Sequence, residues 1–481
     1  MKKIISIILS IVMIFLIGTT AFAKSEITKE DVPIIDIYGF GRTNLIKDKG
    51  TENEMSIFMP ETDLLVPAIL KLILPLVGYL ATGNSHIFAK ALVKQATAVL
   101  EPLRFNDDGE PVYDNISLER GPDNFTFRYD WRYDVMETAK ILNDYIQQVK
   151  EETGCEKVAL MPESMGGAVT MAYLYQFGYD DVHSLILRSS AMEGITLMGE
   201  LYTRQLDVKT SSVLGYINGF ILGSETDRVF LRSLVYTLGA LPITLIAGFL
   251  NGFFRNEKDY VYDNCLCDLF GNIPGMWTFV PDEYYEAAKA SMLDEKENAK
   301  LIEKLDVYHK EVRPQIVPML KEMQENGVKV AVVSHYGLYC VPVIPNDTYQ
   351  SDFLVDTKFT SIGATGSAVG KTLGEGYVQK IDDGHNHLSP DGQIDASTCA
   401  LPENTWFIKG MVHTWYNDGY DEFVDWFVYE SEAADIYENP KYPQFMYNHE
   451  EKETIEPLKA DDPDPIEHKF LKTVFGSLLN K

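Results

Sequence analysis

A serine in the first half of the chain stands in a context that suits a catalytic nucleophile. Ser164 follows the apolar run 157–161 and precedes Gly166 and Gly167. A strand that turns sharply into a helix at such a serine lifts the hydroxyl above the sheet, and small flanking residues allow the turn. The Met165 amide would then lie at the helix start, where it could stabilise an oxyanion. A plain strand–turn–helix with an incidental serine is the alternative.

Two residues late in the chain could complete the chemistry that such a serine needs. A histidine must accept the serine proton, and a carboxylate must hold the histidine tautomer and stabilise the imidazolium. His413 follows the predicted strand 405–409, and Asp391 lies in a predicted Asp-Gly turn before that strand. The order Ser, Asp, His is typical of one large group of hydrolases. We therefore predict Ser164, Asp391 and His413 as a catalytic triad, with Asp395 as the reserve acid.

Other histidines offer alternatives. His335 follows the predicted strand 328–333 and is the main rival base, but it precedes both candidate acids, which reverses the expected order. His385 and His387 stand beside two aspartates and could ligate a metal. A polar surface loop explains the same pattern more simply, so we predict no metal site.

A glycine-rich turn near the start of the chain is a candidate partner for the serine. The apolar run 32–38 predicts a strand that enters Gly39-Phe40-Gly41. Such a turn can supply a second oxyanion donor, from the amide of Phe40 or Gly41. Taken alone, the pattern is explained better by a tight turn without function, but its place before Ser164 gives weight to the functional interpretation.

The elements that must position these residues alternate along the chain. Strands are predicted at 32–38, 124–129, 157–161, 183–187, 328–333 and 405–409, and helices at 134–151 and 166–177. This alternation predicts an α/β fold with a mostly parallel central sheet flanked by helices.

Breaks in the alternation suggest how the chain is organised. We predict a first core part at 24–189 with an apolar helical insertion at about 62–103, a large helical apolar cap at 190–325, a second core part at 326–449 and an acidic C-terminal tail at 450–481. The uncharged stretch 233–254 is long enough to span a bilayer. A span there would separate Ser164 from His413, so we expect buried cap helices or a lipid-facing surface instead.

The N-terminus has the features of a secretory signal. Lys2 and Lys3 precede the apolar run 4–17, and residues 21–23 form a small-x-small cleavage site. We therefore predict a signal peptide at 1–23 and a secreted mature protein. An uncleaved membrane anchor is the alternative.

Charge and cysteine content exclude several kinds of protein. The chain of 481 residues has a formal net charge of −29. Nucleic-acid binding needs a basic face, so no nucleic-acid partner is expected. Electrostatic binding of anionic lipid by a polybasic segment is equally unexpected, so any contact with a membrane surface should be apolar. Five cysteines are too few and too scattered for a disulfide scaffold or a zinc site.

Several motifs resemble those of the lecithin:cholesterol acyltransferase family, which includes lysosomal phospholipases and bacterial relatives. Residues 129–132 (Tyr-Asp-Trp-Arg) match one motif, and residues 38–45 are similar to Pro-Gly-x-x-Gly-x-x-Leu. Residues 391–397 are similar to the acid motif of that family, Asp-Gly-Thr-Val-x-x-Ser. Ser164 falls at its elbow serine, although proline and glutamate replace the flanking glycine and histidine.

The resemblance implies an α/β-hydrolase fold and a serine esterase or acyltransferase that acts on lipid acyl esters through an acyl-enzyme. It implies no metal or organic cofactor. Trp131, in the Tyr-Asp-Trp-Arg motif, and Trp277, in the cap, are predicted to contact the substrate. An esterase for a non-lipid ester and a non-catalytic lipid- or wall-binding protein on a degenerate hydrolase fold are the alternatives.

Overall fold

The computed structural model describes residues 32–57, 62–119, 121, 124–213, 241–346, 348–449 and 452–463 of the chain. The predicted signal peptide and most of the predicted acidic tail lie outside these residues, so both stay predictions.

The described residues form a large central sheet and two small ones. The strands are β1 (Ile34–Ile37), β2 (Leu45–Lys47), β3 (Met55–Ser56), β4 (Ile116–Leu118), β5 (Thr126–Phe127), β6 (Val158–Pro162), β7 (Val182–Arg188), β8 (Lys329–Tyr336), β9 (Thr365–Gly366), β10 (Ile394–Asp395), β11 (Thr405–Lys409), β12 (Phe445–His449) and β13 (Thr454–Pro457). The central sheet has eight strands in the order β13-β12-β11-β8-β7-β6-β1-β5.

The central sheet is parallel throughout except at one edge. Every neighbouring pair from β5 to β12 is parallel, and β13 pairs antiparallel with β12. The middle strands are apolar runs because helices or loops cover both of their faces. Leu160 and Val332 pack into one core layer, whereas Ala159 and Ile186 pack into the layer on the opposite face. The predicted α/β architecture with a mostly parallel sheet is confirmed.

Helices flank the sheet and fill the long connections. They are α1 (Thr62–Thr82), α2 (Ser85–Leu100), α3 (Val135–Thr153), α4 (Met165–Phe177), α5 (Thr196–Tyr202), α6 (Leu241–Val261), α7 (Asp282–Met292), α8 (Ala299–Val307), α9 (Ile316–Glu325), α10 (Thr357–Thr360) and α11 (Asp418–Asp425). Local chemistry explains their limits. The Asp134 side chain accepts a hydrogen bond from the Met136 amide at the start of α3, and Gly154 ends that helix at a φ of 73°.

The two stretches predicted to be helical insertions contain helices in the described residues. α1 and α2 occupy the stretch at 62–103, and α5 to α9 lie within 190–325. Residues 233–240 of the long uncharged stretch lie outside the described residues, and 241–254 belong to α6. No described helix combines the length and the apolar character that crossing a bilayer requires.

All five cysteines lie in the described residues and are free thiols. Cys265, Cys340 and Cys399 are buried, whereas Cys155 and Cys267 are partly exposed. The fold is therefore held together without a disulfide.

Candidate active site

Ser164 sits in a strained turn between β6 and α4. Its backbone has φ 52° and ψ −124°, which is unfavourable for any residue with a side chain. The turn is possible because its neighbours are small. A Cβ atom at Gly166 would lie 2.5 Å from the Ile37 carbonyl oxygen, and one at Gly167 would lie 2.5 Å from the Ser190 Cβ. The predicted strand–turn–helix at the serine is confirmed, with the strain expected of a nucleophile.

His413 is paired with a carboxylate that the sequence analysis did not select. Its Nδ1 lies 2.7 Å from Asp352 Oδ2, and its backbone amide donates to the Asp352 carbonyl at 2.9 Å. The other Asp352 oxygen accepts from the amides of Leu354 and Val355. Both side chains are buried. The hydrogen bond places the Nδ1 proton between ring and carboxylate, so Nε2 carries the lone pair that a general base needs. Nε2 has no partner among the described residues.

The prediction that Asp391 supports His413 is wrong. Asp391 Oδ2 lies 2.9 Å from the buried Lys409 ammonium and accepts from the Tyr336 hydroxyl at 3.1 Å. Its Oδ1 accepts from the Ser389 hydroxyl and the Gln393 amide, which forms the predicted turn. A carboxylate so occupied neutralises the lysine at the end of β11 and shapes its own loop.

The reserve acid and the paired histidines also have other partners. Asp395 accepts hydrogen bonds from Tyr377, from the Lys380 amide and from Ser397. His387 is buried between Gln444 and Asp383, at 2.9 Å from each. No cluster of three or more His, Cys, Asp or Glu side chains in the described part of the chain is arranged to hold a metal ion.

The loop after β1 lies directly against the serine. A Cβ at Gly39 would be 2.6 Å from the Ser164 Cβ and 3.3 Å from its Oγ, so only glycine fits there. Gly41 has a φ of 73°, which bends the loop in the way glycine permits. The Met165 amide begins α4, and the first amides of a helix have no acceptor within it. The loop and the helix start therefore meet at Ser164, and the oxyanion roles of Phe40, Gly41 and Met165 stay predictions.

The two predicted substrate-contacting tryptophans are core residues. The Trp131 side chain is 1% exposed and packs edge-on against Phe40 at 4.5 Å, behind the loop. Trp277 is fully buried, stacks edge-on against Tyr202 and donates its indole N–H to the Gly271 carbonyl. Trp131 therefore supports the Phe40 ring, and Trp277 packs among residues of the stretch 190–325. The structure gives neither ring a surface that a substrate could reach.

The rival base, His335, is fully buried on β8 behind His413. Burial lowers its pKa to about 3, and its ring packs edge-on against Tyr416 at 5.9 Å. It is therefore neutral at all pH values at which the protein would be assayed, and it has no acid as hydrogen-bonded partner in the described chain.

The pKa of His413 predicts how activity should depend on pH. Burial lowers this pKa, but the charge and hydrogen bond of Asp352 and the charge of Glu163 outweigh it, so the net direction is upward. A base must be neutral to act, and His413 becomes protonated at a higher pH than an ordinary histidine. If His413 acts as the predicted base, activity should therefore fall on acidification with an apparent pKa above the ordinary histidine value, measured as kcat/KM against pH.

A variant at His335 provides the control for this profile. His335→Gln should leave the acid limb at the same pH, because His335 does not titrate in that range. If kcat/KM of folded His335→Gln protein no longer fell on acidification, the base would be His335 instead of His413.

The signal that could have identified Asp352 is weak. Asp352 also stands between Ser164 and His413 in the chain, so the expected order fits it as well as Asp391. It lies in the irregular segment between β8 and α10, where sequence periodicity gives no position for a side chain. Asp352 is nevertheless one of the acids that follow β8, the strand that pairs with β11.

Comparison with known proteins adds no relative. No protein-family model, no curated protein and no solved structure matches this chain.

Proposed function

We propose that this chain is a secreted serine esterase of the α/β-hydrolase fold, acting on lipid acyl esters, with Ser164, His413 and Asp352 as its catalytic triad. The observation that carries the proposal is the strained turn at Ser164, between β6 and α4, together with the buried His413–Asp352 pair. A histidine oriented by a buried carboxylate can take the proton of a serine hydroxyl that reaches its free ring nitrogen, which makes the serine nucleophilic.

The strand order supports this assignment. Ser164 follows β6, Asp352 follows β8 and His413 follows β11, and these strands run parallel within one sheet. Their carboxyl ends therefore lie along the same edge, where open α/β sheets place their sites. Nucleophile, acid and base occur in the chain order of α/β-hydrolases. The motif resemblance to the lecithin:cholesterol acyltransferase family points to the same fold.

The proposed chemistry assigns one role to each of these groups. His413 Nε2 accepts the Ser164 proton as Oγ attacks the ester carbonyl carbon. The carbonyl oxygen becomes negative and is held by the Met165 amide and that of Phe40 or Gly41. The imidazolium returns the proton to the leaving alcohol, and an acyl-enzyme forms. His413 then deprotonates water or an acceptor alcohol, which releases the acid or a new ester. Asp352 stabilises the imidazolium in both halves.

An exposed apolar face supports a lipid substrate. α1, α2 and α6 pack together, with the Tyr79 and Phe249 rings 5.2 Å apart. Their outer surface exposes large apolar side chains, namely Leu70, Ile73, Leu74, Val77, Leu80, Ile87, Leu245 and Ile246. A large apolar patch on a soluble protein usually marks contact with a partner or a lipid surface. We propose that this apolar face rests on the surface of an aggregated lipid substrate.

A charge placed on the apolar face tests this role. Leu74, with 80% of its side chain exposed, tolerates substitution without loss of core packing. Leu74→Asp should lower hydrolysis of phosphatidylcholine vesicles about tenfold or more, because a carboxylate in the interface costs a few kcal/mol. Hydrolysis of a soluble short-chain ester should not change.

Val378→Asp is the matched control, since Val378 is 77% exposed and lies on a loop outside α1, α2 and α6. It should leave both activities unchanged. Equal vesicle activity in the two variants would contradict a lipid-facing role and favour a soluble, non-lipid ester as substrate.

Covalent labelling tests the enzyme assignment itself. A fluorophosphonate probe should add one phosphonyl group to wild-type protein, and peptide mass analysis should locate it at Ser164. Prior protonation of His413 at low pH should slow the reaction. Protein that folds but remains unlabelled would favour the non-catalytic lipid- or wall-binding alternative.

A further inference from the structure

A buried glutamate links the serine turn to the loop that faces it. Glu163 directly precedes Ser164, and its side chain is almost fully buried. Its Oε1 accepts from the Gly39 amide at 3.4 Å and lies 3.5 Å from the Arg42 guanidinium. Its backbone amide donates to the Ile37 carbonyl at 3.0 Å. One residue therefore contacts the end of β1 and both sides of the loop at 39–42.

The loop at 39–42 has backbone and side-chain supports besides Glu163. The Arg42 amide donates to the Gly39 carbonyl at 3.4 Å, which closes the turn. Phe40 packs on Trp131 and on Phe279, which fixes the ring. The Arg42 guanidinium lies over the Tyr38 ring at 4.6 Å, which ties the two ends of the loop together. The amides of Phe40 and Gly41 acquire a defined direction once Gly39 and Arg42 are both held.

Resting on the esterase function proposed above, we propose that Glu163 is a positioning residue of the oxyanion loop. Its carboxylate fixes Gly39 and Arg42, so that the Phe40 or Gly41 amide points to the oxygen that becomes negative when Ser164 attacks. An oxyanion donor works only when its direction is fixed in advance, and a misplacement of about 1 Å can cost about 100-fold in rate.

Two arginines lie close enough to Glu163 to favour its carboxylate form. Burial raises the pKa of Glu163, and the charges of Arg42 and Arg188 offset this only in part, so the net direction is upward. Arg188 is itself paired with Asp36. Several charged or titratable groups interact electrostatically with Glu163 or with His413. They are Asp36, Arg42, Tyr129, Arg188, Asp352, Tyr416 and Tyr420.

Three substitutions separate positioning from packing. Glu163→Gln keeps the length and an acceptor oxygen, so kcat for a soluble ester should stay within about threefold. Glu163→Met keeps the size but has no acceptor, and kcat should fall about 10- to 100-fold with KM unchanged. Glu163→Asp keeps the charge but withdraws the carboxylate by one bond, about 1.5 Å, and kcat should fall about tenfold.

The pH profile adds an independent readout. The Glu163 charge helps to raise the pKa of His413, so Glu163→Gln and Glu163→Met should move the acid limb of kcat/KM to lower pH. Glu163→Asp should leave the limb nearly in place. Asp36→Asn is the control for loss of a partly buried carboxylate, since it removes the partner of Arg188 without contacting the loop. Asp36→Asn should lower Tm and retain kcat.

The outcomes are distinct. Wild-type kcat in folded Glu163→Met and Glu163→Asp would overturn the positioning role and leave Glu163 as a structural ion-pair partner. Should Glu163→Met not fold, Glu163→Asp decides the matter alone. A wild-type protein that neither hydrolyses esters nor reacts with the fluorophosphonate would overturn the esterase function, and the positioning role with it. A labelled, active wild type with unaffected variants overturns the positioning role only.

Discussion

Ser164→Ala should abolish ester hydrolysis while the protein remains folded. The substitution removes the only atom that can form the acyl-enzyme at this turn, and knocking out the nucleophile of a triad costs about 10⁶-fold in kcat. The alanine keeps the Cβ that the turn already accommodates, so its φ near 52° is no worse than that of serine. Turnover of a short-chain ester and Tm, measured on the same preparation, give the two readouts. We expect Tm to change by only a few degrees.

Ser190→Ala is the matched control for this experiment. Ser190 is buried beside the same turn and donates its hydroxyl to the Pro162 carbonyl at 3.2 Å. Its loss should cost about 1 kcal/mol of stability and little activity. Substantial hydrolysis by folded Ser164→Ala protein would refute the proposed mechanism. Equal loss in both variants would indicate damage to the turn.

Asp352→Asn should lower activity, whereas Asp391→Asn should lower stability and keep activity. Asp352 holds the His413 Nδ1 proton, and an amide in its place permits the wrong tautomer, which costs about 10⁴-fold in kcat in a well-studied triad. Asp391 neutralises Lys409, whose side chain is 1% exposed. Asp391→Asn should therefore retain kcat and lower the free energy of unfolding by about 1 kcal/mol or more, because the buried ammonium loses the charge of a neighbouring carboxylate.

Steady-state kinetics and denaturant unfolding on both variants distinguish the two carboxylates. The motif-based assignment predicts the reverse, with activity lost in Asp391→Asn and kept in Asp352→Asn. That result would restore Asp391 as the acid and would require His413 to change its partner in solution.

The sequence carried enough information to predict the main elements of the sheet. Apolar runs located β1, β6, β7, β8 and β11 to within a few residues, because buried parallel strands require continuous hydrophobic character. The small sheets escaped prediction. β3 and β9 are two residues long, which is too short for any periodicity to be recognised.

The candidate site was predictable where the chemistry is local. Ser164, Gly166 and Gly39 follow from what a tight turn permits, since each must fit a backbone a few ångströms away. The carboxylate that pairs with His413 could not be predicted from local sequence. The Asp-Gly turn at 391 forms as predicted, but turn chemistry does not determine whether His413 or Lys409 lies across from it. That choice depends on the path of the irregular segment carrying Asp352, which only tertiary packing determines.

The five free thiols make the protein convenient to label and to handle. Because the fold contains no cross-link, reducing agents should leave it intact, and it should mature in a reducing compartment as well as an oxidising one. Burial raises the pKa of Cys265 and also that of Cys267, Cys340 and Cys399, so these thiols are poor nucleophiles. A maleimide dye should therefore attach first to Cys155, just after α3, and the native sequence then carries a fluorescent reporter at one defined position.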